Sequence, residues 1–319
     1  RLSNPDDLGV LTIVGDSRAA GFDDHAAVWT AHPDLGILNV TDLTPTSNQG
    51  GAMDTNDAGW VVGWSTEIGW LSIPGQPLIE LPALSTAEGR VSRPTAINNA
   101  NQIVGDALVD VEVVVDGQIV IETEWHGMLW QVDQTGVVVD QVDLGLFFPN
   151  DVNEFGVMAG HVADPTDIAA VAEIDSQGEA VVTLLTGVPS QATALNDLGE
   201  AVGWMLPIPG DLRREAFLWD ADNGLQLLGV LPDKMDSFAY GINNLGEVVG
   251  NSLGGKSSGR LPHGRAFLWR DGVMLDLNEL HDTQRQFHIG IADDINDAGQ
   301  IAVGVKVLDK SGDGEVHAG

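Results

Sequence analysis

Along this chain the apolar residues come in short runs, such as Val61-Val62-Gly63-Trp64, Ala201-Val202-Gly203-Trp204 and Glu247-Val248-Val249-Gly250. Clusters of Gly, Asn, Asp and Pro break them. Apolar residues at i, i+3, i+4 and i+7 between caps are nearly absent, so the pattern predicts strands and an all-β fold. One run is informative by its faces. In Ala216-Phe217-Leu218-Trp219, and again in Ala266-Phe267-Leu268-Trp269, residues pointing to both sides of a strand are apolar. A strand with one face in water would alternate with polar residues, so these strands are expected to be covered on both sides.

The runs recur. The glycine that ends the first of them falls at Gly15, Gly63, Gly105, Gly160, Gly203, Gly250 and Gly304, about 48 residues apart on average, the span of a four-stranded propeller blade. Ahead of it stands an Asn-led turn, beginning at Asn56, Asn98, Asn153, Asn196, Asn243 and Asn296. Asn starts such a turn by bonding its side chain back to the main chain, and Gly closes it in the left-handed conformation. Asn101 replaces that Gly in the second copy, and Asn tolerates positive φ. A second strand follows, looser as His25–Trp29 and His126–Trp130. It is weakest at Gly69-Trp70-Leu71 and at Ala170-Val171-Ala172. A third ends in Asp143-Leu144-Gly145, Leu227-Leu228-Gly229 or Asp276-Leu277-Asn278. The expected architecture is one propeller-like repeat domain over residues 1–319. Seven units are counted, with six blades or an open array as alternatives, because the seventh stops at His317-Ala318-Gly319 as its next strand begins.

The I-N-x-x-G-x-V-V-G segment followed by an A-F-L-W strand resembles the bacterial extracellular HAF repeats, over essentially the whole chain. The likeness is most specific at Ala194–Gly203, Ala216–Trp219, Ala239–Gly250 and Ala266–Trp269. Glu215 and Arg265 stand where those repeats have His. The resemblance implies an exported, propeller-like protein and brings no catalytic motif with it.

Charge narrows the partners. With 47 acidic and 14 basic residues the formal net charge is −33, which repels nucleic acid and anionic membrane and attracts cations. No Cys is present, so disulfides, thiolate zinc sites and Cys nucleophiles are excluded. No apolar run reaches the length of a membrane helix, and Arg1–Val10 does not read as a signal peptide.

Candidate chemistry is sparse. The polar residue four before the strand Trp is His25, His126, Glu215 or Arg265, and His317 begins the same pattern; satisfying backbone at a blade corner is its expected role. His281 and His288 have Asp282, Asp293 and Asp294 nearby but lack metal-ligand spacing. Asp309, Ser311, Asp313 and Glu315 place oxygens at alternate positions around Gly314, the opening half of a calcium loop, with an exposed acidic turn as the alternative. Lys256, Arg260 and Arg265 concentrate scarce cations in one Gly/Ser loop, where an acidic glycan would fit. Val111–Trp125 reads as a long hairpin around Asp116-Gly117, able to project and pair with another chain. No P-loop, Rossmann fingerprint or GxSxG elbow occurs. The expectation is therefore an extracellular or cell-surface protein acting as a non-catalytic binding or structural scaffold. Its partners would be a glycan or surface protein, calcium the one cofactor, and self-association a further option. A polysaccharide-acting enzyme and an extracellular assembly subunit stand as alternatives.

Overall fold

The computed structural model describes residues 1–6, 8–18, 24–32, 34–44, 50–66, 68–85, 91–163, 165–254, 264–280 and 287–307. They form a series of antiparallel sheets, each built from consecutive strands. The first has three strands, β1 (Leu11–Arg18), β2 (Asp24–His32) and β3 (Gly36–Asp42). Five four-stranded sheets follow. They are β4 (Gly50–Thr55), β5 (Val61–Ser65), β6 (Ile68–Ser72) and β7 (Ile79–Glu80); then β8 (Ser92–Ile97), β9 (Gln102–Val115), β10 (Gln118–Val132) and β11 (Val138–Asp143). The next is β12 (Phe147–Val152), β13 (Met158–Ala163), β14 (Asp167–Ile174) and β15 (Ala180–Leu184). The last two are β16 (Ser190–Leu195), β17 (Ala201–Met205), β18 (Glu215–Asp220) and β19 (Gly224–Gly229), and β20 (Asp236–Ile242), β21 (Val248–Leu253), β22 (Arg265–Arg270) and β23 (Val273–Asp276). A single helical turn, α1 (Leu277–Leu280), precedes the hairpin of β24 (Phe287–Ile295) and β25 (Ile301–Val307). The fold is all-β and of the β-propeller class. Six sheets have three or more strands among the described residues, so the count is the six of the sequence alternative rather than seven.

Contacts divide the chain into two compact units, one mainly Arg1–Met158 and the other mainly Thr183–Gly319. Within each, neighbouring sheets pack face to face. In the first, Val62 and Leu71 meet Ile97, Ile103, Met128 and Trp130. In the second, Val202 and Leu218 meet Ala239, Val248, Phe267 and Trp269, while Ala266 and Leu268 turn the other way onto Ile289 and Ala292. The two-sided apolar strand is thus explained: Phe and Trp face the preceding sheet, Ala and Leu the following one. Burying each such large side chain contributes about 1.5–3 kcal/mol.

The Asn turn supplies a second link. Oδ1 of Asn243 accepts the backbone N–H groups of Leu245 and Glu247, which closes its own turn. Its Nδ2 donates 3.2 Å to the carbonyl of Asn296, the same position one repeat on. Asn196 donates likewise to Asn243 (3.1 Å), Asn56 to Asn98 (3.3 Å) and Asn98 to Asn153 (2.8 Å). The next residue adds a ladder, since Asn244 Nδ2 donates to both Asp197 and Asp297, and Asn99 Nδ2 to both Asp57 and Glu154. Buried serines seal the far side: Ser237 Oγ accepts from Ala216 N and donates to Gly229 O of the preceding sheet.

Two glycines per repeat have distinct reasons. Gly246, like its counterparts, closes its turn at φ 74°, and Asn101 does so at 59°. Gly250 is not left-handed. A bulge in β20 between Ala239 and Gly241 pushes the first strand inward, and a Cβ on Gly250 would lie 1.9 Å from the Phe238 carbonyl oxygen.

Candidate functional site

The Asn turns join the first two strands of every sheet from β4 onward, and the residue after the repeat glycine lies toward the other end of its strand. There the repeats diverge: Asp16, Trp64, Asp106, His161, Trp204 and Asn251 occupy this position in turn. In the first unit Asp106 is the cross-strand neighbour of Arg93, whose guanidinium lies 4.4 Å over the Trp125 ring. Burial pushes the Asp106 carboxyl up to about 6, against the opposing pull of Arg93. Gly51 leaves room for Asp16, whose carboxylate oxygen would stand 2.9 Å from any Cβ placed there.

In the second unit the position belongs to Trp204. Its ring lies 6.0 Å from Phe238, which stacks on Tyr240 at 6.4 Å and 7°. The Arg214 guanidinium covers both Trp204, at 5.1 Å, and Phe238, at 5.8 Å. Burial first, then Asp293, pushes the Tyr240 phenol up to about 12. Gln191, opposite Trp204 across the strands, donates 2.7 Å to Asp167, which stands 3.8 Å from His161. Burial lowers the His161 pKa more than Asp167 raises it.

Beside this row opens a cleft of about 250 Å³ lined by Pro207, Ile208, Asp211, Arg213, Arg214, Glu215, Gly229, Val230, Lys234 and Met235. Three of the chain's 14 basic residues thus share one small cavity. Asp211 pairs with Arg213 and draws its carboxyl below the usual range. Burial, then the nearby Arg265, lowers the Lys234 pKa. Pro207, Ile208, Val230 and Met235 give the lining its apolar part, and its three cations stand beside two carboxylates, Asp211 and Glu215. Such a cavity takes a carboxylate attached to an apolar group.

Of the residues singled out from sequence, Glu215 lines this cleft and the others fall elsewhere. His25 Nδ1 bonds Asp42 at 2.7 Å, His126 Nδ1 bonds Asp143 at 2.8 Å, and Arg265 Nη1 donates to Asp276 at 2.8 Å. Glu215 accepts from the Gly229 backbone at 3.1 Å. All four tie their strand to the next one in the same sheet; Glu215 and Arg265 also bond backbone, the role expected of this position, whereas His25 and His126 bond carboxylates. His288 is buried with its Nε2 2.7 Å from the Gly264 carbonyl, and Asp294 accepts from Ile295 N. Among the described residues no cluster of His, Asp and Glu is set to hold a metal. Asp309, Ser311, Asp313 and Glu315, with Lys256, Arg260, His281, Asp282 and His317, lie outside the described residues. Arg213, Arg214, Trp204 and Phe238 were missed. Aligning the repeats on their glycine and asking where they differ would have found Trp204.

No protein-family model and no curated protein sequence matches this chain. Several solved structures are similar to it, two of which follow. One is the Porphyromonas gingivalis dipeptidyl peptidase 4, at 10% identity and a TM-score of 0.47, covering 98% of this chain and 51% of that one. The other is the β-propeller domain of the Trilobed protease from Pyrococcus furiosus, at 9% identity and a TM-score of 0.40, covering 88% of this chain and 97% of that one. The chain spans about half the length of the peptidase. The expectation of a non-catalytic scaffold is corrected by these neighbours, a peptidase and a domain of a protease.

Proposed function

We propose that this chain is a peptidase-type propeller that receives the carboxylate end of a peptide in the Arg213–Arg214–Lys234 cleft. The cleft carries this reading. A protein with a net charge of −33 repels anions over most of its surface, whereas around this cavity three cations outnumber the two carboxylates Asp211 and Glu215 and leave a local excess of positive charge for a carboxylate. A volume of about 250 Å³ is small for a whole ligand and suits one terminal residue. Arg214 is held in place over Trp204 and Phe238, and Pro207, Ile208, Val230 and Met235 offer apolar surface for that residue's side chain. A glycan would ask for hydroxyl-bonding groups in place of these cations.

Calorimetric titration with Ala-Ala-Phe and with its C-terminal amide tests the proposal. The free acid is expected to bind, the amide about tenfold or more weakly, and Arg214→Gln to erase the difference. Equal binding of acid and amide would overturn it. Kinship with the HAF repeats and an extracellular or surface location belong to the same proposal, supported by the Ala-Phe-Leu-Trp strands at Ala216–Trp219 and Ala266–Trp269. Fractionation of the source cells tests the location.

A further inference from the structure

We propose that the tip of the β9–β10 hairpin is a docking arm for a basic, strand-forming segment of another protein. These two strands are the longest of the described residues, at 14 and 15 residues. β8 pairs with β9 only as far as Ala107, and β11 pairs with β10 only from Met128 onward. Between those limits the register runs from Asp110↔Thr123 to Val115↔Gln118, each arm pairing with the other. No named strand flanks either outer edge of this tip among the described residues. On the β9 side Leu84 bridges Val109 and Ser85 Oγ donates to Asp110, so among the described residues the rows of backbone donors and acceptors open to a third strand begin beyond them, at Val111–Val115 and Gln118–Glu122.

The side chains say what that strand must be. Val114 is 73% exposed, Ile119 67% and Ile121 57%, an apolar surface that a two-stranded ribbon cannot cover by itself. Among them stand Glu112, Asp116, Glu122 and Glu124, and no Lys, Arg or His occurs from Gln102 to Trp125. A second copy of this arm would bring the same carboxylates against these, on a chain already at −33. Charge on an exposed edge acts in this way against self-pairing. A strand alternating Lys or Arg with Val or Ile meets neither obstacle: its apolar residues cover the valines and isoleucines, and its cations answer the carboxylates.

The test uses an acetylated and amidated peptide of alternating lysine and valine, with an alternating lysine and proline peptide of equal charge as control. The comparison variant deletes Val113–Val115 and Gln118–Val120, so that Asp116-Gly117 joins the cross-strand pair Glu112 and Ile121 directly. No charged residue is lost, so unspecific attraction stays the same. The Lys-Val peptide is expected to bind the full-length arm about tenfold more tightly than the shortened one, with the Lys-Pro peptide weak on both. Equal binding of Lys-Val to both proteins, or of Lys-Pro and Lys-Val to the full arm, would overturn the proposal. So would concentration-dependent dimers in sedimentation that vanish on shortening the arm, since these would assign it to a second copy.

Discussion

A carboxamide differs from a carboxylate of the same shape only in having a donor, and the repeated turn uses that difference. Asn243 needs only its Oδ1 to close the turn; its Nδ2 reaches Asn296 one repeat away. Asn243→Asp keeps the Oδ1 bonds of the turn, loses the cross-repeat bond and sets a carboxylate against Glu247, to which Nδ2 also donates at 2.9 Å, so urea denaturation should show a loss of at least about 1–3 kcal/mol. The turn itself was readable from the letters, because turn formation is local. The clamp was not, because its acceptor lies 53 residues away and depends on how sheets stack. The same contrast applies to glycine. Gly250→Ala drives a Cβ toward the Phe238 carbonyl and should cost about 3 kcal/mol in the same assay, whereas Gly290→Ala meets nothing within 4 Å and should be near neutral. Asp106 gives a pH signature. Its carboxyl sits at about 6 in the folded protein and near 3.8 when free, so the fold holds the extra proton between these values. Stability from this group is full below about 4 and is lost as pH rises through about 6. Asp106→Asn should remove that part of the decline when melts are compared across this range.

Strands were legible where both of their faces were loud. Ala-Phe-Leu-Trp announced cover on both sides, and the sheets packed before and after β22 provide it. Phe217, fully buried at 0% exposure, should cost about 3–5 kcal/mol on replacement by Ala. The Asp116-Gly117 hairpin was equally plain, and both residues take positive φ, at 51° and 79°. The bulge in the first strand of the repeats was invisible. It recurs between Pro94 and Ala96, Ala192 and Ala194, and Ala239 and Gly241. Nothing in the local letters marks it, because it arises from the close approach that the repeat glycine permits.

On the scale of the whole chain, acidity dominates. At −33 the folded protein repels itself, so moving from low salt to physiological ionic strength should raise its melting temperature; a flat response would show the charges are already compensated. Cation placement, by contrast, could not be read from composition. Lys256, Arg260 and Arg265 drew attention as near neighbours in sequence, while Arg213, Arg214 and Lys234 meet across a loop and a strand end. Labour is divided within each repeat: the Asn-turn end holds the sheets together, and the end beyond the repeat glycine is free to carry ligand chemistry. Thermal melts of Asn196→Asp and Asn243→Asp beside Trp204→Phe and Arg214→Gln measure this most directly. The first pair should melt several degrees below the parent protein and the second pair with it; a drop for the Trp204 and Arg214 variants as large as for the Asn variants would contradict the division.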